Sequence, residues 1–252
     1  MFDLLKLRKR HGRPVIKDIR RAKVIEPFRG LPNLNEDGCR DGCAACAGVC
    51  PTDAISTRPL RLDLGACVFC GDCERACPAG AIRFSSAHRL GATRRESLVV
   101  AAGRNAGENA EAGFESRREI RRLYGRSLKL RQVSAGGCNG CEMELAACGN
   151  VNFDMGRFGV DFVASPRHAD GLVLTGPISG NMAAALRDAY RSVGGPRIVI
   201  AAGACAVSGG LFADSEALDR SFLADVPVDL YVPGCPPHPL TFILALLDFL
   251  GR

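Results

Sequence analysis

The sequence has no tryptophan, three tyrosines and an aromatic content of only 6%. Proteins that bind single-stranded nucleic acids stack the bases on aromatic side chains, so this composition gives nucleic-acid binding little support. The net charge of +6 is also mild, because 27 acidic side chains offset most of the 33 basic ones. We therefore expect no nucleic-acid partner.

The chain also lacks a long apolar run: no stretch reaches the roughly 18 apolar residues of a membrane span. Residues 1–10 place positive charge after a short apolar piece, which is the reverse of a signal peptide. The twin arginine Arg20-Arg21 is followed by Glu26 and Pro27 rather than by an apolar core, so an export signal is rejected. We expect a cytoplasmic protein that docks on a membrane complex.

Cysteine, in contrast, is abundant, with thirteen residues. Without an export signal this number indicates metal or cluster ligation rather than disulfides. Eight of the cysteines lie between residues 39 and 77, where an internal repeat occurs: residues 43–55 recur as residues 70–82. Each copy ends in Cys-Pro followed by Ala-Ile. So small a unit builds a poor apolar core, so we expect bound clusters to stabilise it.

The second copy has the ferredoxin spacing C-x2-C-x2-C-x3-C-P from Cys67 to Pro78. Three thiolates on one tight loop can cap one face of an iron–sulfur cube, and in two-cluster ferredoxins the fourth cysteine of each run ligates the other cluster. Crossed ligation predicts two [4Fe-4S] clusters. One would be held by Cys39, Cys43, Cys46 and Cys77, and the other by Cys67, Cys70, Cys73 and Cys50.

The first copy departs from this spacing, since three residues separate Cys39 from Cys43. Cys39-x3-Cys43-x2-Cys46 matches the radical S-adenosylmethionine signature, but Cys50-Pro51 and the adjacent second copy favour a closed cluster with four thiolates. A pair of zinc knuckles is the other alternative, and the absence of interspersed histidines argues against it.

Residues 128–252 alternate apolar runs with helical patterns, which predicts a parallel sheet covered by helices. The predicted strands are 128–133, 160–164, 171–175, 197–201 and 228–232. A helical pattern follows the first strand and extends to about Gly149, and two others cover 181–193 and 240–250. In such sheets ligands gather beyond the carboxyl ends of the strands.

Four cysteines of this region follow predicted strands. Cys138 and Cys141 lie on the turn after the first strand, Cys205 follows the fourth and Cys235 the fifth. The C-x-x-C pair alone would also suit zinc or thiol exchange. The two downstream cysteines at the same sheet edge favour an all-cysteine cage. Cys148, two helical turns beyond Cys141, is predicted to be a packed core thiol.

These motifs carry a resemblance to a known family. Residues 128–252 resemble the small-subunit family shared by [NiFe] hydrogenases and the cluster-bearing B subunit of respiratory complex I. Residues from about Glu26 to Leu98 resemble the two-cluster ferredoxin subunit of the same complexes. Complex I subunits carry adjacent cysteines at the first site, whereas two residues separate Cys138 from Cys141, as in the hydrogenases. The matching segments are 137–142, 164–170, 175–177, 203–210 and 232–237.

The chain thus resembles a fusion of two subunits of a membrane-bound, energy-converting or formate hydrogenlyase type of [NiFe] hydrogenase. The resemblance implies a flavodoxin-like α/β domain, preceded by a small α+β dicluster ferredoxin domain. We divide the chain into a basic N-terminal extension (1–35), a ferredoxin-like domain (36–98), a linker with a charged helix (99–127) and the α/β domain (128–252).

The resemblance also implies a function. Cys138, Cys141, Cys205 and Cys235 would hold a third [4Fe-4S] cluster, proximal to the nickel–iron centre of a partner large subunit. The other implied partners are an iron–sulfur or donor subunit and integral membrane subunits, with this chain peripheral on the inner face of the cell membrane. No catalytic residue is expected in this chain. The alternatives are a complex I-like subunit that serves quinone reduction and a redox scaffold or sensor.

The motifs do not assign a role to four further side chains near them. Glu142 and Glu144 open a helix, where acidic side chains favour the helix dipole, and a proton relay is the alternative. His168 and His238 are predicted to be polar loop residues.

Overall fold

The computed structural model describes residues 2–12, 14–40, 42–103 and 118–252. Most of the predicted linker, at 104–117, lies outside the described residues, as does the beginning of the predicted charged helix. Within the described residues, no helix is both long and apolar enough to cross a lipid bilayer.

The N-terminal part consists of short helices and two small antiparallel sheets. One sheet pairs β1 with β4, and the other has the order β2-β3-β5. The elements are α1 (Phe2–His11), β1 (Pro32–Leu34), α2 (Ala45–Gly48), β2 (Ile55–Thr57), β3 (Leu60–Asp63), α3 (Asp72–Ala76), β4 (Ile82–Phe84) and β5 (Val99–Ala101). Because β1 and β5 belong to these sheets, the sheets extend beyond the predicted range 36–98 at both ends.

The C-terminal part is a five-stranded, fully parallel sheet with helices. Its elements are α4 (Arg118–Tyr124), β6 (Leu128–Ser134), α5 (Gly140–Ala147), β7 (Val160–Phe162), β8 (Gly171–Thr175), α6 (Gly180–Ser192), β9 (Ile198–Ala202), α7 (Ala204–Ser208), α8 (Ser221–Asp225), β10 (Leu230–Val232) and α9 (Pro239–Phe249). The order β10-β9-β8-β6-β7 is that of the flavodoxin-like fold, which confirms the predicted fold class.

The sequence explains why this sheet is central. Every residue of β8 and β9 is buried, because helices cover both faces of a parallel sheet and its strands become continuously apolar. Helix α9 is apolar nearly all round, and it is buried between the sheet and an N-terminal segment that contributes Ile19. Arg20 of that segment pairs with Asp248 of α9, and so does Arg89 from the chain that follows β4.

The two parts of the chain share one hydrophobic core. A single buried cluster contains Leu60, Leu62 and Leu98 from the N-terminal part together with Leu172 and Leu174 of β8. Main-chain hydrogen bonds also join them at the edge of the parallel sheet. The amide of Ala92 donates to the carbonyl of Tyr231 (3.0 Å), and the amide of Tyr231 donates to the carbonyl of Ala92 (2.8 Å). The cysteine motifs of the two parts are therefore held in fixed relative positions.

Candidate iron–sulfur centres

The first cavity lies between the two copies of the repeat. Its lining includes all four thiols of the predicted first set, and it encloses about 340 Å³ free of protein atoms, part of it open to solvent. Three of the thiols come from the loop of the first copy and the fourth comes from the second copy, as crossed ligation requires. The four cysteines are Cys39, Cys43, Cys46 and Cys77.

The second cavity repeats this arrangement with the roles of the copies exchanged. It encloses about 280 Å³, and the thiols of the predicted second set lie along its wall. These are Cys50, Cys67, Cys70 and Cys73. The residues described do not bring three histidine, cysteine, aspartate or glutamate side chains together as one metal ion requires. Each of these two sets instead surrounds a space, and the donors are all thiols, which suits an iron–sulfur cluster.

The fourth cysteine of each copy is held by the same backbone hydrogen bond. The amide of Ala54 donates to Sγ of Cys50 (3.3 Å), and the amide of Ala81 donates to Sγ of Cys77 (3.2 Å). Burial alone would raise the pKa of Cys77, but the backbone amides of residues 79–82 hold this pKa below its usual value. The turn after Cys77 thus favours the thiolate, the form that ligates metal, and Cys50 accepts the equivalent hydrogen bond.

The innermost thiols, in contrast, have raised pKa values. Burial and neighbouring thiolates raise the pKa of Cys67 to about 12 and that of Cys73 to about 11. Buried thiolates in such proximity are unfavourable unless a bound cation compensates their charge. An iron–sulfur cluster supplies that compensation, so the donor set and its electrostatics fit the predicted cofactor.

The third set lies at the carboxyl edge of the parallel sheet. Cys138 follows β6, Cys141 lies in the first turn of α5, Cys205 lies in the first turn of α7, and Cys235 lies between β10 and α9. Burial, the neighbouring Glu142 and the other three thiols raise the pKa of Cys141 to about 12. Cys138 and Cys235 are exposed, and the other two are half-buried. The structure thus brings these four cysteines together at the molecular surface.

Glycine provides the space that this third set needs. Gly203 has φ +93° and ψ 154°, a backbone conformation that is essentially restricted to glycine. A Cβ at this position would lie 2.6 Å from Sγ of Cys141, and one at Gly210 would lie 3.1 Å from Sγ of Cys205. The loops that carry the thiols therefore pass one another closely.

Glu142 connects the cluster loop to the sheet. It lies in the first turn of α5, the position predicted from the helix dipole, and it also accepts a hydrogen bond from Oγ1 of Thr175 (2.6 Å). Burial by itself would raise the pKa of Glu142, but hydrogen bonds from Ser134 and Thr175 hold this pKa below its usual value. Glu142 therefore stays ionised and ties α5 to β6 and β8. Burial raises the pKa of Glu144.

The remaining candidate residues have structural positions. Cys148 is fully buried, and its Sγ donates to the carbonyl of Glu144 (3.4 Å), which confirms the predicted core thiol. His238 is the N-cap residue immediately before α9, and its Nδ1 accepts a hydrogen bond from the amide of Leu240 (3.1 Å). His168 is exposed at the end of a single 3-10 turn.

Sequence reasoning missed two features of the site. One is a cavity with about 460 Å³ free of protein atoms, part of it open to solvent, which is lined by Arg29, by Phe69 from the loop of the second set and by Cys235 of the third set. The guanidinium of Arg220 donates to the carbonyl of Cys205 (3.0 Å). Neither involves a recognisable motif, because both arise where distant segments pack together.

Family models match both parts of the chain. The model described as NADH ubiquinone oxidoreductase, 20 Kd subunit, matches residues 138–249, and a 4Fe-4S binding domain model matches residues 60–83. The former model includes all four cysteines of the third set, and the latter includes Cys67, Cys70, Cys73 and Cys77.

Curated relatives agree with these matches. A probable membrane-bound hydrogenase subunit, mbhJ, of Pyrococcus furiosus is 40% identical over 48% of this chain and 72% of the relative. Formate hydrogenlyase subunit 7 of Escherichia coli is 43% identical over 50% of this chain and 49% of the relative. The B subunit of the NADH-quinone oxidoreductase of Desulfovibrio desulfuricans is 46% identical over 46% and 62%, respectively. The chain belongs to the NADH ubiquinone oxidoreductase 20 Kd subunit family, with a 4Fe-4S binding segment preceding the family domain.

Proposed function

We propose that this chain is the electron-transfer subunit of a membrane-associated oxidoreductase complex of the [NiFe] hydrogenase type. The observation that carries the proposal is the fixed arrangement of three four-cysteine sets within one packed chain. The relatives named membrane-bound hydrogenase and formate hydrogenlyase subunits support the hydrogenase assignment. A [4Fe-4S] cluster held by each set would supply one-electron transfer.

The order of the three sets follows from their surroundings. The first and second sets share the ferredoxin-like part, and Cys46 and Cys73 are close enough to influence each other electrostatically. The second set faces the third across the cavity between Phe69 and Cys235. We infer a linear relay in which the first set is closest to an upstream donor subunit and the third set is closest to the acceptor.

The exposed third set is where a large subunit with the nickel–iron centre would bind. Cys138 and Cys235 are exposed, as are three apolar side chains on the cysteine-bearing segments. These are Met143 (66% exposed), Leu211 (58%) and Phe212 (47%). Apolar surface beside exposed cluster ligands suits a protein partner that excludes water from the site. Integral membrane subunits would complete the complex, with this chain peripheral on the inner face of the membrane.

A complex I-like subunit that serves quinone reduction is the second candidate. The matching family model and the similarity to the B subunit of an NADH-quinone oxidoreductase favour it. The spacing of Cys138 and Cys141 favours the hydrogenase, because complex I subunits carry adjacent cysteines at this site and two residues separate the cysteines here.

Metal analysis of the native complex distinguishes the two candidates. We expect the complex purified through a tag on this chain to contain nickel, about one atom per chain, and iron: about twelve atoms per chain from the three clusters, in addition to the iron of the nickel–iron centre and of any further iron–sulfur subunit. Hydrogen-dependent reduction of a viologen dye should co-purify with it. A complex without nickel that reduces quinone would contradict the hydrogenase assignment and support the complex I-like one. The control is the same purification from cells that carry the untagged chain.

A further inference from the structure

Arg220 makes an unusual set of contacts at the edge of the third set. Its Nη1 donates to the carbonyls of Pro177 (3.1 Å) and Cys205 (3.0 Å), and its Nη2 donates to those of Ala206 (2.9 Å) and Val207 (3.2 Å). The residue itself lies immediately before α8, so the side chain reaches back to a different loop of the carboxyl edge. One guanidinium thus fixes two loops at once.

The partners of Arg220 explain why an arginine is suited to this position. Helix α7 has only five residues, so the carbonyls of Ala206 and Val207 lack helical hydrogen-bond donors, whereas that of Cys205 also accepts from the amide of Gly209 (2.9 Å). A cation at the C-terminal end of a helix supplies those donors and complements the helix dipole. The planar guanidinium can serve several carbonyls in fixed directions, which the single ammonium of a lysine cannot do. Arg220 therefore holds α7, and with it Cys205, against the loop that follows β8.

Within the part of the chain that the structure describes, the charge of Arg220 is not paired with a carboxylate. Among the described residues, no ion pair involves its guanidinium, which is half-buried and close enough to Cys205 to interact electrostatically. Arg187 on α6 is different, since its guanidinium pairs with Asp225 (2.7 Å) and contacts Ser221. The positive charge of Arg220 therefore lies against the backbone of Cys205, with Nη1 3.0 Å from its carbonyl oxygen.

We propose that Arg220 is a positioning residue that fixes Cys205 and raises the reduction potential of a cluster held by the third set. The inference rests on the proposed function, because it requires that Cys138, Cys141, Cys205 and Cys235 hold a cluster. Reduction adds one electron, and so one negative charge, to the cluster and its four thiolates. A nearby half-buried cation stabilises that added charge more than it stabilises the oxidised form.

The test is a redox titration of Arg220→Gln and Arg220→Lys, followed by electron paramagnetic resonance with dithionite as the reductant. The signal of the third cluster is the one that Cys235→Ala removes from the wild-type spectrum. We expect Arg220→Gln to make reduction of this cluster about tenfold less favourable, a downward shift of about 59 mV for one electron. Arg220→Lys should keep the potential closer to wild type, because lysine retains the positive charge. It should release iron from the third set faster, because lysine lacks the planar guanidinium that donates to several carbonyls at once.

The matched control is Arg187→Gln, which removes an arginine from the neighbouring helix without touching the thiols. It should leave both the potential and the iron content unchanged. An unchanged potential in Arg220→Gln overturns the proposal. If both Arg220 variants lose the iron of the third cluster as well as its signal while the other two clusters persist, the proposed effect on the potential is refuted and Arg220 acts only in holding the two loops together. Failure of the proposed function would show separately, as a wild-type chain without a third signal.

Discussion

Replacing Cys235 with alanine is expected to reduce the iron content of the purified chain from about twelve atoms to about eight and to abolish electron exchange with the acceptor subunit. Cys235 follows the last strand of the sheet and is the thiol that closes the third set on the side of the cavity facing the ferredoxin-like part. A cluster left with three thiolates loses its closed coordination. Iron analysis and electron paramagnetic resonance measure the first effect, and donor-linked turnover of the assembled complex measures the second.

The matched control is Cys148→Ala. Its thiol is also on the α/β part, but it is buried in the core and donates to the carbonyl of Glu144 rather than facing the other cysteines. We expect this variant to keep about twelve irons and to lose about 1 kcal/mol of stability. Because the loop of Cys235 is exposed, the complex should be isolated before the assay to separate assembly from electron transfer. A Cys235→Ala variant that assembles, lacks the third signal and still shows normal donor-linked turnover would refute the proposed relay.

Replacing Gly203 with alanine is expected to prevent assembly of the third cluster, although no ligand is removed. The backbone conformation of Gly203 costs a residue with a side chain about 1–3 kcal/mol. The added Cβ would also lie 2.6 Å from Sγ of Cys141, so either the thiol or the loop must move. We expect about eight irons per chain and no third signal, as for Cys235→Ala, with the first two clusters unchanged.

Gly194→Ala is the control for this substitution. Gly194 is exposed, and an added Cβ would have no heavy atom within 4 Å. Iron content and spectra should therefore match wild type. If Gly203→Ala retained a third signal of wild-type intensity, the close approach of the two loops would not be needed for the site.

Much of the fold follows from hydrophobic periodicity. The predicted strand at 171–175 is identical to β8, and the predicted fourth strand, at 197–201, differs from β9 by one residue at each end. These strands are buried on both faces, so their apolar runs are unbroken and their limits are clear. β7 ends at Phe162, two residues before the predicted limit: its register with β6 covers residues 160–162, and the amide of Val163 adds one hydrogen bond to the carbonyl of Leu130 (2.8 Å).

Contacts between distant segments leave no comparable pattern in the sequence. Pairing of Ala92 with Tyr231 depends on tertiary packing, and the residues around Ala92 show no strand pattern. The repeat and the ends of the strands mark in the sequence which cysteines lie near one another, whereas the binding of a cluster by each set stays a prediction. The roles of Arg220 and of the Glu142–Thr175 hydrogen bond were not predictable, since single polar residues acquire them only when the loops of the carboxyl edge come together.

The most direct test of the account is the iron and labile-sulfide content of the reconstituted wild-type chain, with zinc measured in the same sample. Three closed sets of four thiolates predict about twelve irons and about twelve sulfides per chain, without zinc. Saturation at about eight irons, with no change on Cys138→Ala, would contradict a cluster at the edge of the parallel sheet. Zinc in place of iron would contradict all three centres.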